Sequence, residues 1–163
     1  MKGSVVVEVR RLEHQDSHLG ATAIRILKAP DGYPVPSAAY LSQFLSRSEN
    51  VLIVAFDGDM PVGYLIAYLL DRVDRDQQMM FFYEIGVAEI HRRQGIGKRM
   101  IAELKAICRT KNVMKMWVPT GRSNLAATRL YASTGAVPLA AGDDVTYAYP
   151  RESFIRDAPD QGA

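Results

Sequence analysis

The sequence predicts an α/β (α+β) fold: a mixed, mostly antiparallel central sheet of about seven strands flanked by about four helices. Three observations carry this expectation. Short runs rich in β-branched and aromatic residues come as adjacent pairs early and late in the chain, as hairpins do. Between these pairs lie amphipathic stretches with helical spacing, which can serve as crossovers. The length of 163 residues, 48% of them hydrophobic, suits one domain with a proper core. Residues 1–156 are expected to form that domain, and the polar residues 157–163 a flexible tail.

The elements follow in order. Val5 to Leu12 is β-branched and reads as the first strand. Asp16 or Ser17 can cap a helix running to about Lys28. Residues 29–36 hold three prolines and a glycine and read as a loop. Ser37 can cap a second helix, whose apolar residues Tyr40, Leu41, Phe44 and Leu45 recur at three- and four-residue spacing. Val51–Phe56 and Val62–Leu70 form a hairpin around Asp57-Gly58-Asp59. Arg72–Gln78 is a charged loop, and Met79–Val87 a long strand. Gly95 to Lys111 is a helix with Ile96, Met100, Ile101, Leu104, Ile107 and Cys108 on one side. Val113–Val118 is a strand, and Ser123 or Asn124 caps a helix that ends at Gly135. Ala136–Leu139 and Val145–Tyr149 are the last strands, joined by residues 140–144.

Composition narrows the function classes. A net charge of +2 is close to balanced and argues against a general nucleic-acid binder. The single cysteine, Cys108, allows no internal disulfide and falls on an apolar helix stripe, as a buried structural thiol does. No stretch has the pattern of a signal peptide or the length of a membrane span, so a soluble cytoplasmic protein is expected, with no membrane partner. His14, His18 and His91 are scattered, and no metal is expected.

The chemistry starts at Arg92-Arg93-Gln94-Gly95-Ile96-Gly97, between a strand and a helix. Glycines let the backbone turn tightly and approach a ligand. The helix that follows aims its unpaired N–H groups and its positive end into the turn. Arg92, Arg93 and Lys98 add full charge, while Gln94 and Ile96 contribute backbone N–H groups. This is a cradle for a pyrophosphate. A dinucleotide fingerprint or a phosphate-binding P-loop would need other spacings, which are not present.

Strand, Arg-x-x-Gly-x-Gly, helix resembles the acyl-CoA loop of the GNAT acetyltransferase superfamily, and the element order over Val5–Tyr149 resembles its fold. Within it the chain is similar to the small aminoglycoside 3-N-acetyltransferases. The similar residues include Tyr40-Leu41, Phe44-Leu45, Ala55-Phe56-Asp57, Pro61-Val62-Gly63, Ala67-Tyr68, Tyr83-Glu84-Ile85-Gly86-Val87, His91-Arg92-Arg93-Gln94-Gly95-Ile96, Leu130-Tyr131 and Gly135. Those enzymes usually carry Asp where Glu84 stands and often Ala where Gly97 stands.

The resemblance implies acetyl-CoA as cosubstrate, an aminoglycoside as the cationic acceptor, resistance as the outcome and a homodimer that also covers sheet edges. It makes Glu84 the general base, and the apolar neighbours Phe81, Phe82, Tyr83 and Ile85 would raise its proton affinity. Ile85 and Val87 would pair with the pantetheine arm, with the Val87 N–H on the thioester carbonyl. Asn124 caps a helix, reaches the CoA arm, or does both. Tyr131 is either the acid for the departing thiolate or a packed core ring. Asp143 and Asp144 are either a polar turn or the carboxylates that bind further ammonium groups, with Tyr147 beside them. Two alternatives remain: a GNAT enzyme for another amine, such as a polyamine or a protein N-terminus, and a CoA-binding module without catalysis.

Overall fold

The computed structural model describes residues 7–140 and 144–155. Strand β1 (Glu8–Arg11) leads through a short 3-10 turn to α1 (Ser17–Lys28) and α2 (Ala38–Leu45). Three strands follow, β2 (Asn50–Asp57), β3 (Met60–Asp71) and β4 (Gln78–Val87), then α3 (Ile96–Thr110) and β5 (Lys115–Gly121). The chain closes with α4 (Leu125–Ser133), β6 (Val137–Ala140), β7 (Asp144–Pro150) and α5 (Arg151–Ile155).

This is the expected order with one helix added. Helix α5 is short, and it is held from outside itself. Phe154 is buried, the Lys105 ammonium donates to the Ser153 carbonyl at 2.9 Å, and the Arg109 guanidinium donates to the Phe154 carbonyl at 2.6 Å. Five residues give no periodic signal, so the sequence alone does not reveal this helix. Strand β5 also starts two residues later than expected, because the Val113 N–H donates to the Cys108 carbonyl at 2.9 Å and still belongs to the turn after α3.

The local chemistry is as anticipated at several ends. Ser37 Oγ accepts from the Tyr40 N–H at 3.1 Å and caps α2. Asn124 Oδ1 accepts from the Ala127 N–H at 3.1 Å and caps α4. Asp16 differs: its carboxylate accepts from the Glu13 N–H and closes the 3-10 turn, leaving α1 without a side-chain cap. Gly135, with φ of 91°, ends α4 in the left-handed region that glycine tolerates.

The seven strands order as β1-β2-β3-β4-β5-β7-β6. Among the described residues only β4 and β5 run parallel. Helices α1 and α2 cover one face through Leu12, Ala23, Leu41, Leu45, Leu52, Val54 and Phe56. On the other face α3 buries Met100, Ile101, Leu104 and Cys108 against Leu65, Ala67, Met80, Phe82 and Met116. Among the described residues no helix is long and apolar enough to cross a membrane. The expected tail over 157–163 and Asp143 of the last turn lie outside the described residues.

Burial pushes the Cys108 thiol from 9.0 up to about 12 and the Tyr131 phenol from 10.0 up to about 12. Both groups therefore lose their protons more readily in the unfolded chain. The stability gained by keeping them neutral is fully present below pH 9 and is lost as the pH rises towards 12. The unfolding temperature should be flat from about pH 7 to about pH 8.5 and fall above it. A midpoint that stays level up to about pH 11 would show that these groups titrate alike in both states.

Candidate active site

Strands β4 and β5 pair at only three positions, Met79–Phe81 with Lys115–Trp117. Beyond them β4 stays with β3 up to Val87, while β5 stays with β7 up to Gly121. The sheet splits there, and among the described residues β4 from Phe82 onward has a strand on one side only.

A bulge sits at the start of the split. Ala67 pairs with Phe82 and Ile66 with Glu84, so Tyr83 is the extra residue. Phe82 faces α3 and is fully buried. Strict alternation would send Glu84 to that same face. The bulge sends it to the other, where Ile66 packs beneath α1 and α2. It also turns the backbone. The Ala88 N–H donates to the Val62 carbonyl at 2.8 Å, towards β3. By alternation, the N–H groups of Ile85 and Val87 point away from β3 into the split.

The Arg92–Lys98 loop adjoins this opening. Arg93 and Gly95 both take left-handed backbone, with φ of 63° and 79°. No side chain caps α3, and its first internal bond runs from the Arg99 N–H to the Gly95 carbonyl. The earlier N–H groups of the turn are thus left for a ligand. Arg92, Arg93, Gln94 and Lys98 are exposed around them. The Arg92 Nε donates to the Val87 carbonyl at 3.1 Å, so one arginine is tied to the mouth of the split. The two glycines differ in use. A side chain at Gly95 would meet open space, so its need is conformational. A Cβ at Gly97 would come within 3.1 Å of Leu130 Cδ2, so its bareness lets α4 pack on α3. Ile96 is buried, and only its backbone can serve the loop. This α3 terminus and split strand fit a pyrophosphate and an amide-bearing arm, the two halves of a CoA-like ligand.

Glu84 does not sit among apolar groups as expected. Tyr64 Oη donates to its Oε1 at 2.6 Å, and the Lys28 ammonium donates to its Oε2. Lys28 is the last residue of α1 and is buried, with the rings of Tyr33 and Tyr64 centred 4.5 Å and 5.2 Å from Nζ. Neither Lys28 nor Tyr64 was singled out from the sequence, because 56 and 20 residues separate them from Glu84 and no local spacing links them. Tyr64 pays for its place with a strongly raised proton affinity, caused first by burial and then by its bond to Glu84. The same face carries a row of aromatic rings, Phe44, Tyr68, Tyr83, Phe81 and Trp117, with successive centroids 6.1, 5.8, 5.8 and 5.3 Å apart.

Tyr131 lies across the sheet. It is buried among core residues on the α3 face, its ring centroid 5.6 Å from that of Phe82. Burial raises the proton affinity of its phenol. Tyr147 corrects an expectation. It is buried on this same face, 5.4 Å from the Tyr131 ring, since it pairs with Val118 whose side chain is also in the core. It therefore cannot line a cleft on the Glu84 face. Asp144 opens β7 opposite Gly121. His91 contacts Asp57, with Nε2 3.3 Å from Oδ2, and anchors the loop's start to the β2–β3 turn.

A sheet parted beside a parallel pair, with a basic turn at the mouth and a carboxylate on one lip, is the layout expected of an acyl-CoA-type transferase site. The chain matches the family model described as Acetyltransferase (GNAT) family over residues 19–136, and it belongs to that family. Among curated proteins none matches the chain in sequence. It is similar in fold to an aminoglycoside acetyltransferase from an uncultured soil metagenomic sample, in complex with trehalose, with 23% identity, 83% and 93% of the two chains covered and a TM-score of 0.75. The complex of that enzyme with sisomicin has 22% identity, 83% and 93% coverage and a TM-score of 0.75. A GNAT acetyltransferase from Streptococcus pneumoniae has 16% identity, 88% and 98% coverage and a TM-score of 0.69.

The Tyr64–Glu84 contact depends on Gly86. A Cβ there would lie 2.5 Å from Tyr64 Cε1. Gly86→Ala should push the ring away and cost about 1–3 kcal/mol of unfolding free energy in a urea titration, the usual range for overpacking. In a Tyr64→Ala background the same change should cost little. Equal costs in both backgrounds would show that the ring is not what Gly86 accommodates.

Proposed function

We propose that this chain is an acetyl-CoA-dependent N-acetyltransferase acting on an amino group, the 3-amino group, of aminoglycoside antibiotics, as a homodimer in the cytoplasm. The observation that carries the reading is Glu84 on the lip of the split, beside N–H groups that can hold a thioester arm and a loop that can hold its pyrophosphate. The likeness in fold to aminoglycoside acetyltransferases supports the acceptor class. The exposed Val137 and Leu139 on edge strand β6 support a dimer.

In this reading Arg92, Arg93 and Lys98, with the N–H groups of Gln94, Gly95, Ile96 and Gly97, hold the pyrophosphate. Ile85 and Val87 pair with the pantetheine arm, and the Val87 N–H stabilises the oxyanion. Asn124 reaches the arm from α4 while still capping it. Glu84 takes the proton from the acceptor ammonium, directly or through a water, and Tyr131 returns one to the departing thiolate. The two groups serve opposite faces of the sheet, with the thioester in the split between them. Asp143 and Asp144 bind further ammonium groups, and the aromatic row offers flat surfaces to sugar rings and cations. Acetylation turns an ammonium into an amide and removes a charge with which the drug would bind RNA.

Glu84→Gln keeps the shape and should lower turnover of sisomicin-like and kanamycin-like substrates roughly 100-fold or more, while acetyl-CoA still binds. The same assay run with a polyamine and a peptide N-terminus tests the acceptor class. Turnover of those amines alone would overturn the aminoglycoside reading, and near-normal turnover by the variant would remove Glu84 as the base.

A bulky side chain at Gly95 should block the left-handed turn and weaken acetyl-CoA affinity in calorimetry at least tenfold. Gly95→Val with unchanged affinity and an intact fold would move the pyrophosphate elsewhere.

A further inference from the structure

The geometry points to Lys28 as a site of self-acetylation, a primary amine of the chain itself held where the acceptor amine must come. The inference rests on the reading of Glu84 as the base of an acetyl-CoA-dependent transferase. That base must accept a hydrogen bond from the ammonium it deprotonates. Among the described residues the Lys28 ammonium makes this contact with Oε2, while Tyr64 holds Oε1. The nitrogen is not loosely placed. The rings of Tyr33 and Tyr64 flank it, and the side chain is only 11% exposed, so its direction is set by packing. Such confinement is what turns a contact into a reactive orientation.

The step balances. Glu84 takes one proton from the Lys28 ammonium. The freed nitrogen pair forms a bond to the thioester carbonyl carbon, and the carbon–sulfur bond breaks. The sulfur leaves with one proton from the Tyr131 phenol, which regains one from solvent, while the second N–H proton and the proton on Glu84 pass to solvent. Acetyl-CoA and the Lys28 ammonium thus give an amide at Lys28, the CoA thiol and one proton, with no oxidant or reductant. The product is neutral, so Glu84 loses its resident cation and faces an incoming ammonium without a competing charge.

The test uses the full chain with acetyl-CoA and no acceptor, followed by intact mass and peptide mapping. One acetyl group should appear, on Lys28. Excess free CoA or an added aminoglycoside should slow its appearance at least tenfold, and Glu84→Gln should slow it by a similar factor. Lys28→Arg, which keeps a cation beside Glu84, should gain no acetyl group. An unmodified Lys28 in a sample that does acetylate an aminoglycoside overturns the proposal and leaves the enzyme reading intact. Acetylation of Lys28 that neither free CoA nor Glu84→Gln slows also overturns it, as non-enzymatic chemistry. If acetyl-CoA binds but neither Lys28 nor any amine is acetylated, the reading of Glu84 as base falls, and this inference with it.

Discussion

One extra residue in β4 sets the site. Without the bulge at Tyr83, Glu84 would follow Phe82 into the core beneath α3, where an unpaired carboxylate is costly. With it, the carboxylate reaches the face left open beyond α1 and α2. The same residue reverses which backbone groups look towards β5, so the N–H groups of Ile85 and Val87 meet the split rather than a neighbouring strand. The candidate base and the candidate thioester cradle therefore share a single cause. The parting of β4 from β5 begins within two residues of the bulge, as the added local twist would favour.

Around that bulge the protein divides labour between bare backbone and long side chains. Gly86 lets the Tyr64 ring cross β4, Gly95 turns the chain into α3, and Gly97 lets α4 sit close on it. The long side chains close distances that the backbone leaves. Arg92 reaches back to the Val87 carbonyl, and Lys28 reaches from the end of α1 to Glu84. A partly buried ion pair adds little net stability, because desolvating the charges offsets most of their attraction. Its effect here is positional: it holds the α1 terminus and the candidate base together, with Tyr64 as the third member.

The two faces of the sheet carry different chemistry. On the α3 side the environment is dry and apolar, and it raises the proton affinity of Tyr131, Tyr149 and Cys108 alike. On the Glu84 side the surface is half-open, charged and lined by aromatic rings. A thioester held in the split would have access to both.

By itself the sequence determined the element order up to β7, the Ser37 and Asn124 caps, the left-handed end at Gly135 and the glycine turn into α3. Each rests on neighbours within a few residues, where propensity, spacing and turn chemistry act. The family resemblance singled out Glu84 and Tyr131 as positions. Only the tertiary structure decided what touches them. The Lys28 and Tyr64 contacts to Glu84 join three separate elements, the bulge exists only as a register against β3, and Tyr147 turned inward because β7 inserts between β5 and β6. Such contacts depend on how strands are paired and which face each one buries. A strand read in isolation offers strict alternation, and here one inserted residue reverses it.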